Sequence, residues 1–265
     1  PTTHTWLKEV GSNVMKQAVR DADLAIKRWL KGISGKPKFK CKHQCKDSFY
    51  VNYESLKRTK NGFRGEKLGN VKTCSPLPKL KKDEHYLNPR ISFDGTYWYL
   101  SVSCEKKFEQ VELTDESLGI DLGVKDLAIV SNGKVYKNIN KTKKVKRLKK
   151  KLKREQRKLS RKLEHNISGY TKDRKPIYKK PLKDMKNIAK QKKLIKHLYK
   201  QLSDIRKNHL HQTTSDIVKT KPYRIVMEDL NVKGMMKNKH LAKSIAEQCF
   251  YEFKRQMKYK CERLG

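Results

Sequence analysis

The sequence predicts a chain of mixed α/β class, in which a helix and a small β-domain precede strands that a long helical hairpin interrupts. Three observations predict this order. Apolar residues recur at helical spacing over residues 6–31, turn dipeptides between β-branched stretches follow, and two long segments then carry apolar residues seven apart. The predicted domains are a helix at 1–34, a β-domain at 35–112 and an α/β domain at 113–265 with a helical insert at 140–219.

The charge of the chain points to an anionic partner. Its 265 residues include 66 Lys and Arg against 27 Asp and Glu, a formal net charge of +39. Nucleic acid is the favoured partner, because each neutralised phosphate releases counterions. No apolar run approaches the roughly 20 residues of a membrane-spanning helix, and the N-terminus lacks the apolar core of a signal peptide. We therefore expect no membrane partner and a cytoplasmic location.

The six cysteines are predicted to be reduced and unpaired. Cys41, His43 and Cys45 are three potential metal ligands, but their spacing differs from that of a zinc knuckle and no second ligand pair follows. No zinc site is expected in this chain.

Turn dipeptides delimit the predicted strands. Asp94-Gly95 marks a hairpin in the β-domain, and Asn132-Gly133 marks a second one further on. The second unit is expected to begin at Ser117 with the strands "SLGIDLGV", "LAIV" and "KVYKN". After the insert, "YRIVME" predicts another strand, and an amphipathic helix is predicted over residues 240–263.

The insert predicts two long antiparallel helices, at about 141–163 and 185–218. Their seams are predicted from residues at heptad spacing, which are apolar except for one histidine: Val145, Leu148, Leu152, Leu159 and Leu163 in the first helix, and Ile188, Ile195, Leu198, Leu202, Ile205 and His209 in the second. Nearly every other position of the first helix is basic, which favours phosphate contact over a merely solvated face. The basic residues expected to bind nucleic acid are Lys143, Lys146, Lys150, Arg154, Arg157 and Arg161.

Two carboxylates stand out against this basic background. Asp121 lies near the end of the strand "GIDLGV", and Glu228 ends "YRIVME". If these strands are neighbours in one sheet, the carboxylates converge and repel unless a divalent cation lies between them, and a Mg²⁺ pair about 4 Å apart is the usual arrangement for attack on a phosphodiester. Gly119 and Gly123 are then expected where backbone or nucleic acid approaches closely. The simpler alternative is that each acid only ends a strand in solvent.

The stretches "LGIDLGVKDLAIVSNGKVY" and "IVMEDLNVKGMMKNKHLAKSIAEQCFYEFKRQMKYKCERLG" resemble the TnpB (OrfB) proteins of bacterial and archaeal insertion sequences, which are compact relatives of type V CRISPR effectors. "GKPKFKCKHQCKDSFYV" resembles the same family's link into its wedge domain. The resemblance implies an RNase H-like (RuvC-type) nuclease domain with the helical insert, preceded by a β-barrel wedge and the end of a helical recognition domain.

The resemblance also implies a function. Members of this family are Mg²⁺-dependent, RNA-guided DNA endonucleases encoded by mobile elements, so guide RNA and target DNA are the expected partners. Asp121 matches the first catalytic aspartate and Glu228 the catalytic glutamate, both as metal ligands. Lys125, Asn231 and Lys233 fall in the flanks of these motifs and are expected to contact nucleic acid.

The sequence departs from the family pattern at its ends. The family's third catalytic aspartate and the zinc-binding CxxC…CxxC module before it would lie beyond residue 265, and much of the recognition domain is absent, so we expect a fragment or a decayed copy. Asp126 and Asp229 lie too close to the existing motifs to replace the third acid. Weak or no cleavage by this chain alone is the expectation. A non-catalytic RNA- or DNA-binding protein is the alternative, and an architectural nucleic-acid protein leaves both carboxylate strands unexplained.

Overall fold

A computed structural model describes residues 4–41, 45, 47–81, 84–105 and 111–264, without the side chain of Lys183. The chain divides into two compact units, Pro1–Lys107 and Phe108–Gly265. The mixed α/β class is confirmed, whereas the division into three domains stays a prediction. Within the residues just given, no helix combines the length and the apolar character needed to cross a membrane.

The first unit begins with the predicted helix. A 3-10 helix at Thr5–Glu9 leads into α1 (Ser12–Leu30), and none of the residues of α1 is buried. The Arg90 guanidinium lies 3.0 Å from a carboxylate oxygen of Asp21 and so ties the helix to the strands that follow.

The remainder of the first unit consists of six β-strands and their connections. Its strands are β1 (Asp47–Tyr50), β2 (Lys57–Thr59), β3 (Gly62–Gly65), β4 (Gly69–Lys72), β5 (Leu87–Phe93) and β6 (Trp98–Ser103). In the part described they form two separate antiparallel sheets, β1-β5-β6 and β2-β3-β4, around one apolar core, so the expected closed barrel is not confirmed. The predicted Asp94-Gly95 turn joins β5 to β6, and the φ of Gly95 is 91°.

The second unit opens with three antiparallel strands, β7 (Thr114–Leu122), β8 (Asp126–Val130) and β9 (Val135–Lys137). The strand β7 begins three residues earlier than predicted. Asn132-Gly133 closes the β8–β9 turn as predicted, and Gly133 has a φ of 83°.

The helical hairpin follows in the predicted place, with α2 (Lys143–His165) and α3 (Lys186–Val218). At about 1.5 Å per residue the two helices are about 35 and 50 Å long. Between them lies a feature that the sequence did not predict: β10 (Ile167–Tyr170) and β11 (Pro176–Tyr178) pair as a short antiparallel ribbon.

The seam of the hairpin is apolar along the predicted heptads. The buried cluster contains Val145, Leu152, Ile195, Leu198 and Leu202, with Leu148, Leu159 and Ile205 packed against it. Leu163 is half-buried, and Ile188 is buried apart from this cluster.

One polar layer interrupts this seam. Glu155 is only 5% exposed, and Gln191 on α3 donates to its carboxylate at 2.9 Å and to its carbonyl at 3.1 Å. Hydrogen bonds from Gln191 and Lys158 lower the pKa of Glu155. A buried carboxylate needs such partners, and in the observed register α2 and α3 together supply them.

After the hairpin the chain returns to the sheet as β12 (Pro222–Met227), which pairs with β7 in parallel. The strand order is therefore β12-β7-β8-β9. One face of this sheet packs against the last turns of α3 and the C-terminal helices, through a core that includes Leu118, Ile120, Leu210, Ile217 and Phe253.

The C-terminal helix predicted over residues 240–263 is wrong as a continuous element. A short helix, α4 (Val232–Met235), is followed by α5 (Ala242–Gln248) and α6 (Phe250–Cys261). Cys249 between the last two has a φ of 56°, in the left-handed region. This conformation costs a non-glycine residue about 1–2 kcal/mol, so the buried Phe250 and Gln248 on either side must hold it in place.

We expect Gln191→Met to lower the free energy of unfolding by about 1–3 kcal/mol, because buried hydrogen-bonding groups lose their donor. Urea denaturation of the full chain measures this. The control is Gln156→Met, since Gln156 is exposed and donates to the exposed Tyr199 hydroxyl. Equal losses in the two variants would contradict the role of the buried layer.

Candidate active site and basic surface

The parallel pairing of β12 with β7 brings the two predicted carboxylates together. Its register aligns Val226 with Gly119 and Met227 with Ile120. Continued by one residue, this register sets Glu228 opposite Asp121. Neighbouring strands lie about 5 Å apart, so the two side chains start from adjacent positions.

Both carboxylates project from the same face of the sheet. Ile120 and Leu122 are buried while Asp121 between them is exposed, and Met227 packs on the core while Glu228 is exposed. This outer face also carries apolar side chains beside the acids: Ile129, which pairs with Asp121, is 44% exposed, and Val226 is 54% exposed. The acids therefore lie on an accessible surface that also carries apolar side chains.

Only one of the two glycines beside Asp121 is required by packing within the chain. A Cβ atom at Gly123 would lie 3.2 Å from the Asp126 carbonyl, which is tight, and this glycine begins the turn between β7 and β8. At Gly119 a Cβ would meet only the Ser131 side chain, at 3.8 Å. Packing among the described residues therefore does not require a glycine at position 119, and the close approach of nucleic acid expected there stays a prediction.

Lys125 lies in the same turn and is exposed. The two other acids near the motifs are placed differently. Asp126 starts β8, and Asp229 accepts a hydrogen bond from Lys254 at 2.7 Å. That hydrogen bond lowers the pKa of Asp229.

The predicted phosphate-binding residues form a stripe along α2. Their spacing of three and four residues keeps them on the side of the helix opposite the buried Val145 and Leu152, and all six are exposed. From Lys143 to Arg161 the stripe extends over about 27 Å. One member is partly engaged, since the guanidinium of Arg154 lies 3.4 Å from Glu155. We call these residues the basic stripe: Lys143, Lys146, Lys150, Arg154, Arg157 and Arg161.

The two predicted nucleic-acid contacts after Glu228 have different environments. The Asn231 side chain accepts a hydrogen bond from the Gly234 N–H at 3.0 Å and thereby caps α4. Lys233 in that helix is exposed. Lys233 is thus available to a ligand, while Asn231 has a structural role.

Sequence reasoning missed the polar side chains that join the base of the hairpin to the carboxylate turn. Gln248 donates to the carbonyls of Gly123 and Val124, and Asn138 also donates to Val124. No periodic pattern marks these residues. Glu155 did carry a signal, because it is an acid at a heptad seam position within an almost uniformly basic helix.

The cysteines are free, as predicted. Cys41 and Cys45 are free and exposed, while His43 lies outside the described residues. Over the residues that the structure describes, no three His, Cys, Asp or Glu side chains are grouped closely enough to hold a metal ion. Asp121 and Glu228 are accordingly a pair rather than a complete cluster.

Together these features define a mixed α/β chain with an exposed carboxylate pair and a basic helical hairpin. A family described as "Probable transposase", OrfB_IS605, matches residues 99–239, just over half of the chain. The chain belongs to the OrfB_IS605 family, and this confirms the resemblance to TnpB (OrfB) proteins.

Two curated relatives are similar over nearly the whole chain. "Putative RNA-guided DNA endonuclease InsQ" of Escherichia coli (strain K12) is 28% identical over 98% of this chain and 62% of the relative. "Putative RNA-guided DNA endonuclease" of Streptomyces pristinaespiralis is 25% identical over 98% of this chain and 59% of the relative. The chain thus spans about three fifths of the length of each.

A solved structure is also similar, with lower agreement. It is a Cas12f1–sgRNA–target DNA complex determined by cryo-electron microscopy. The TM-score is 0.48 at 15% identity, over 91% of this chain and 57% of that one.

Two substitutions of Asn231 distinguish its role as the cap of α4 from a role in binding nucleic acid. We expect Asn231→Ala to lower the free energy of unfolding by about 1 kcal/mol, because the cap of α4 is lost. Asn231→Asp keeps an oxygen acceptor for the Gly234 N–H, so we expect near wild-type stability in urea denaturation.

The same variants test the predicted nucleic-acid contact when binding to a short RNA duplex is measured by fluorescence anisotropy. If Asn231 only caps the helix, Asn231→Asp weakens binding no more than Lys233→Ala does. A much larger loss for Asn231→Asp would show that Asn231 itself faces phosphate.

Proposed function

We propose that this chain supplies two metal ligands and a phosphate-binding surface to a Mg²⁺-dependent, RNA-guided DNA endonuclease. The observation that carries the proposal is the β12–β7 register, which sets Glu228 beside Asp121 on an exposed face of the sheet. Two carboxylates placed side by side repel each other, and a cation bound between them offsets this repulsion.

The donor set suits magnesium. Mg²⁺ prefers oxygen ligands and is usually held by one or two carboxylates, with water and substrate phosphates completing its shell. Asp121 and Glu228 are exposed and provide such a pair. Held by Asp121 and Glu228, such a metal would supply Lewis-acid polarisation of a phosphodiester and activation of water.

The rest of the proposed site binds and orients the nucleic acid. The basic stripe and Lys125 present positive charge to phosphates and carry no means of reading bases, so they are expected to contact the backbone of the guide RNA or of its duplex with DNA. Lys233 would add a further phosphate contact close to Glu228. The RuvC-type RNase H fold, the wedge domain and the recognition-domain tail belong to the same proposal.

Guidance by RNA is proposed for this chain because both curated relatives are named putative RNA-guided DNA endonucleases, and it rests on that similarity alone. Because the chain spans about three fifths of each relative, its own residues supply part of the machinery that those names describe. A third carboxylate and a zinc module, expected from the family pattern, are not among the residues described.

A second candidate function is RNA or DNA binding without cleavage. The observation in its favour is that the basic stripe lies along the hairpin, whereas the carboxylates lie on the sheet. Phosphate binding by the stripe needs no metal, so it would persist where the metal site is incomplete.

We expect Asp121→Asn and Glu228→Gln each to weaken Mn²⁺ binding by about tenfold or more, since each removes one of two charged ligands. Electron paramagnetic resonance titration of the full chain measures free Mn²⁺. Asp229→Asn is the matched control, because it changes the neighbouring acid that pairs with Lys254.

The proposed site would be contradicted if Asp121→Asn and Glu228→Gln left the Mn²⁺ affinity unchanged, or if Asp229→Asn lowered it as much as they do. Cleavage of a guided DNA substrate separates the two candidate functions. Metal-dependent cleavage abolished by Asp121→Asn supports the endonuclease, and binding without cleavage supports the non-catalytic protein.

Neutralising three residues of the basic stripe (Lys143, Lys150 and Arg157 to Gln) should weaken RNA binding and reduce the salt slope. Each phosphate contact contributes about one unit to the slope of log K against log salt, so a fall of about two to three units is expected. The control neutralises three exposed residues of α3, Lys192, Lys193 and Lys196. Equal effects would mean that overall charge rather than the stripe binds RNA.

A further inference from the structure

The turn that follows Asp121 is held by two buried side-chain amides. Gln248, which is 3% exposed, donates to the Gly123 carbonyl at 2.9 Å and to the Val124 carbonyl at 3.3 Å. Asn138, which is 8% exposed, donates to the Val124 carbonyl at 2.8 Å. Three hydrogen bonds from outside the turn therefore fix two consecutive peptide groups.

The turn has little internal support of its own. Its backbone hydrogen bond, from the Gly123 N–H to the Leu127 carbonyl, is 3.4 Å long. Residue 123 is also a glycine, which has more conformational freedom than any other residue type. The conformation of residues 123–125 consequently depends on Gln248 and Asn138.

The same amides connect the turn to the base of the hairpin. Asn138 accepts from the Asn140 N–H at 2.8 Å, and the Asn140 side chain donates to the Glu247 carbonyl at 3.0 Å and accepts from Arg206 at 2.8 Å. The Glu247 carboxylate pairs with Lys149 of α2 at 2.5 Å and with Arg206 of α3 at 3.4 Å. The residues that connect the turn to the base of the hairpin are therefore Asn138, Asn140, Lys149, Arg206, Glu247 and Gln248.

The break between α5 and α6 belongs to this arrangement. Gln248 is the last residue of α5, and the left-handed Cys249 separates it from the buried Phe250. Strained backbone persists where surrounding contacts determine it. Here those contacts are the bonds of Gln248 to the turn on one side and the packing of Phe250 on the other.

We propose that Gln248 and Asn138 are positioning residues for the carboxylate site. By fixing Gly123 and Val124 they hold the end of β7, which carries Asp121, and the adjoining Lys125 in a set relation to the base of the basic hairpin. The proposal rests on the proposed function in one respect, namely that Asp121 is a metal ligand. The order of the turn itself does not depend on that assignment.

The test uses Gln248→Met in the full 265-residue chain, because methionine keeps the volume of the side chain and removes its donor. Gln191→Met is the matched control: it makes the same change at a buried amide of the same unit, but one that contacts Glu155 rather than the turn. Hydrogen exchange measured by mass spectrometry reports the order of residues 119–127. Mn²⁺ titration reports the carboxylate pair.

We expect Gln248→Met to speed exchange in residues 119–127 by about tenfold and to weaken Mn²⁺ binding by about three- to tenfold. Gln191→Met should change exchange in the hairpin and leave both quantities at the turn as in the wild type. If Gln248→Met does not fold, Asn138→Asp takes its place, since it keeps the acceptor for the Asn140 N–H and replaces the donor to the Val124 carbonyl with a carboxylate oxygen, which that carbonyl repels.

Exchange at 119–127 that is unchanged by the substitution, or changed equally by Gln191→Met, would overturn the proposal. Faster exchange with unchanged Mn²⁺ binding would also overturn it, because Asp121 would then not be positioned through the turn. Failure of the proposed function looks different: wild-type Mn²⁺ binding would be insensitive to Asp121→Asn, while the exchange data would still show whether Gln248 orders the turn.

Discussion

The parallel hydrogen bonding between β7 and β12 is the constraint on which the second unit depends. It joins segments whose acids, Asp121 and Glu228, are 107 residues apart in the chain. Because side chains alternate along a strand, a slip of one residue in this pairing would turn Glu228 toward the core and Met227 toward solvent. The buried Leu118 and Ile120 on β7, with the half-buried Met227 on β12, specify the register, so the packing of the core also determines the geometry of the acids.

The arrangement of charge follows from the same sheet. In a chain with a net charge of +39, the two acids lie on the sheet, whereas α2 carries a dense run of basic residues. The basic stripe lies on the side of α2 turned away from the seam, so the apolar heptads orient both the helix pair and its charge. Glu155 brings an ionised carboxylate into that seam, where it accepts hydrogen bonds from donors on both helices.

Much of this fold follows from sequence periodicity. The heptads of α2 and α3, the turn at Asn132-Gly133 and the strand that precedes Glu228 each have a local signal, and the carboxylate pairing follows once β12 is placed beside β7. The break at Cys249 has no such signal, since cysteine neither favours the left-handed region nor ends helices. Gln248 and Asn138 were missed for a related reason: their partners are backbone carbonyls distant in sequence, which leave no trace in composition or spacing.

The long insert between β7 and β12 also has a consequence for how the second unit folds. Parallel strands separated by so many residues pair slowly, because closing the loop costs conformational entropy before any contact between the strands has formed. A hairpin of two long helices can form early through contacts between residues near in sequence, and it returns the chain to its starting point. The segment that must then be closed is effectively much shorter than 100 residues, so a folded hairpin acts as a template for pairing the two strands that carry the acids.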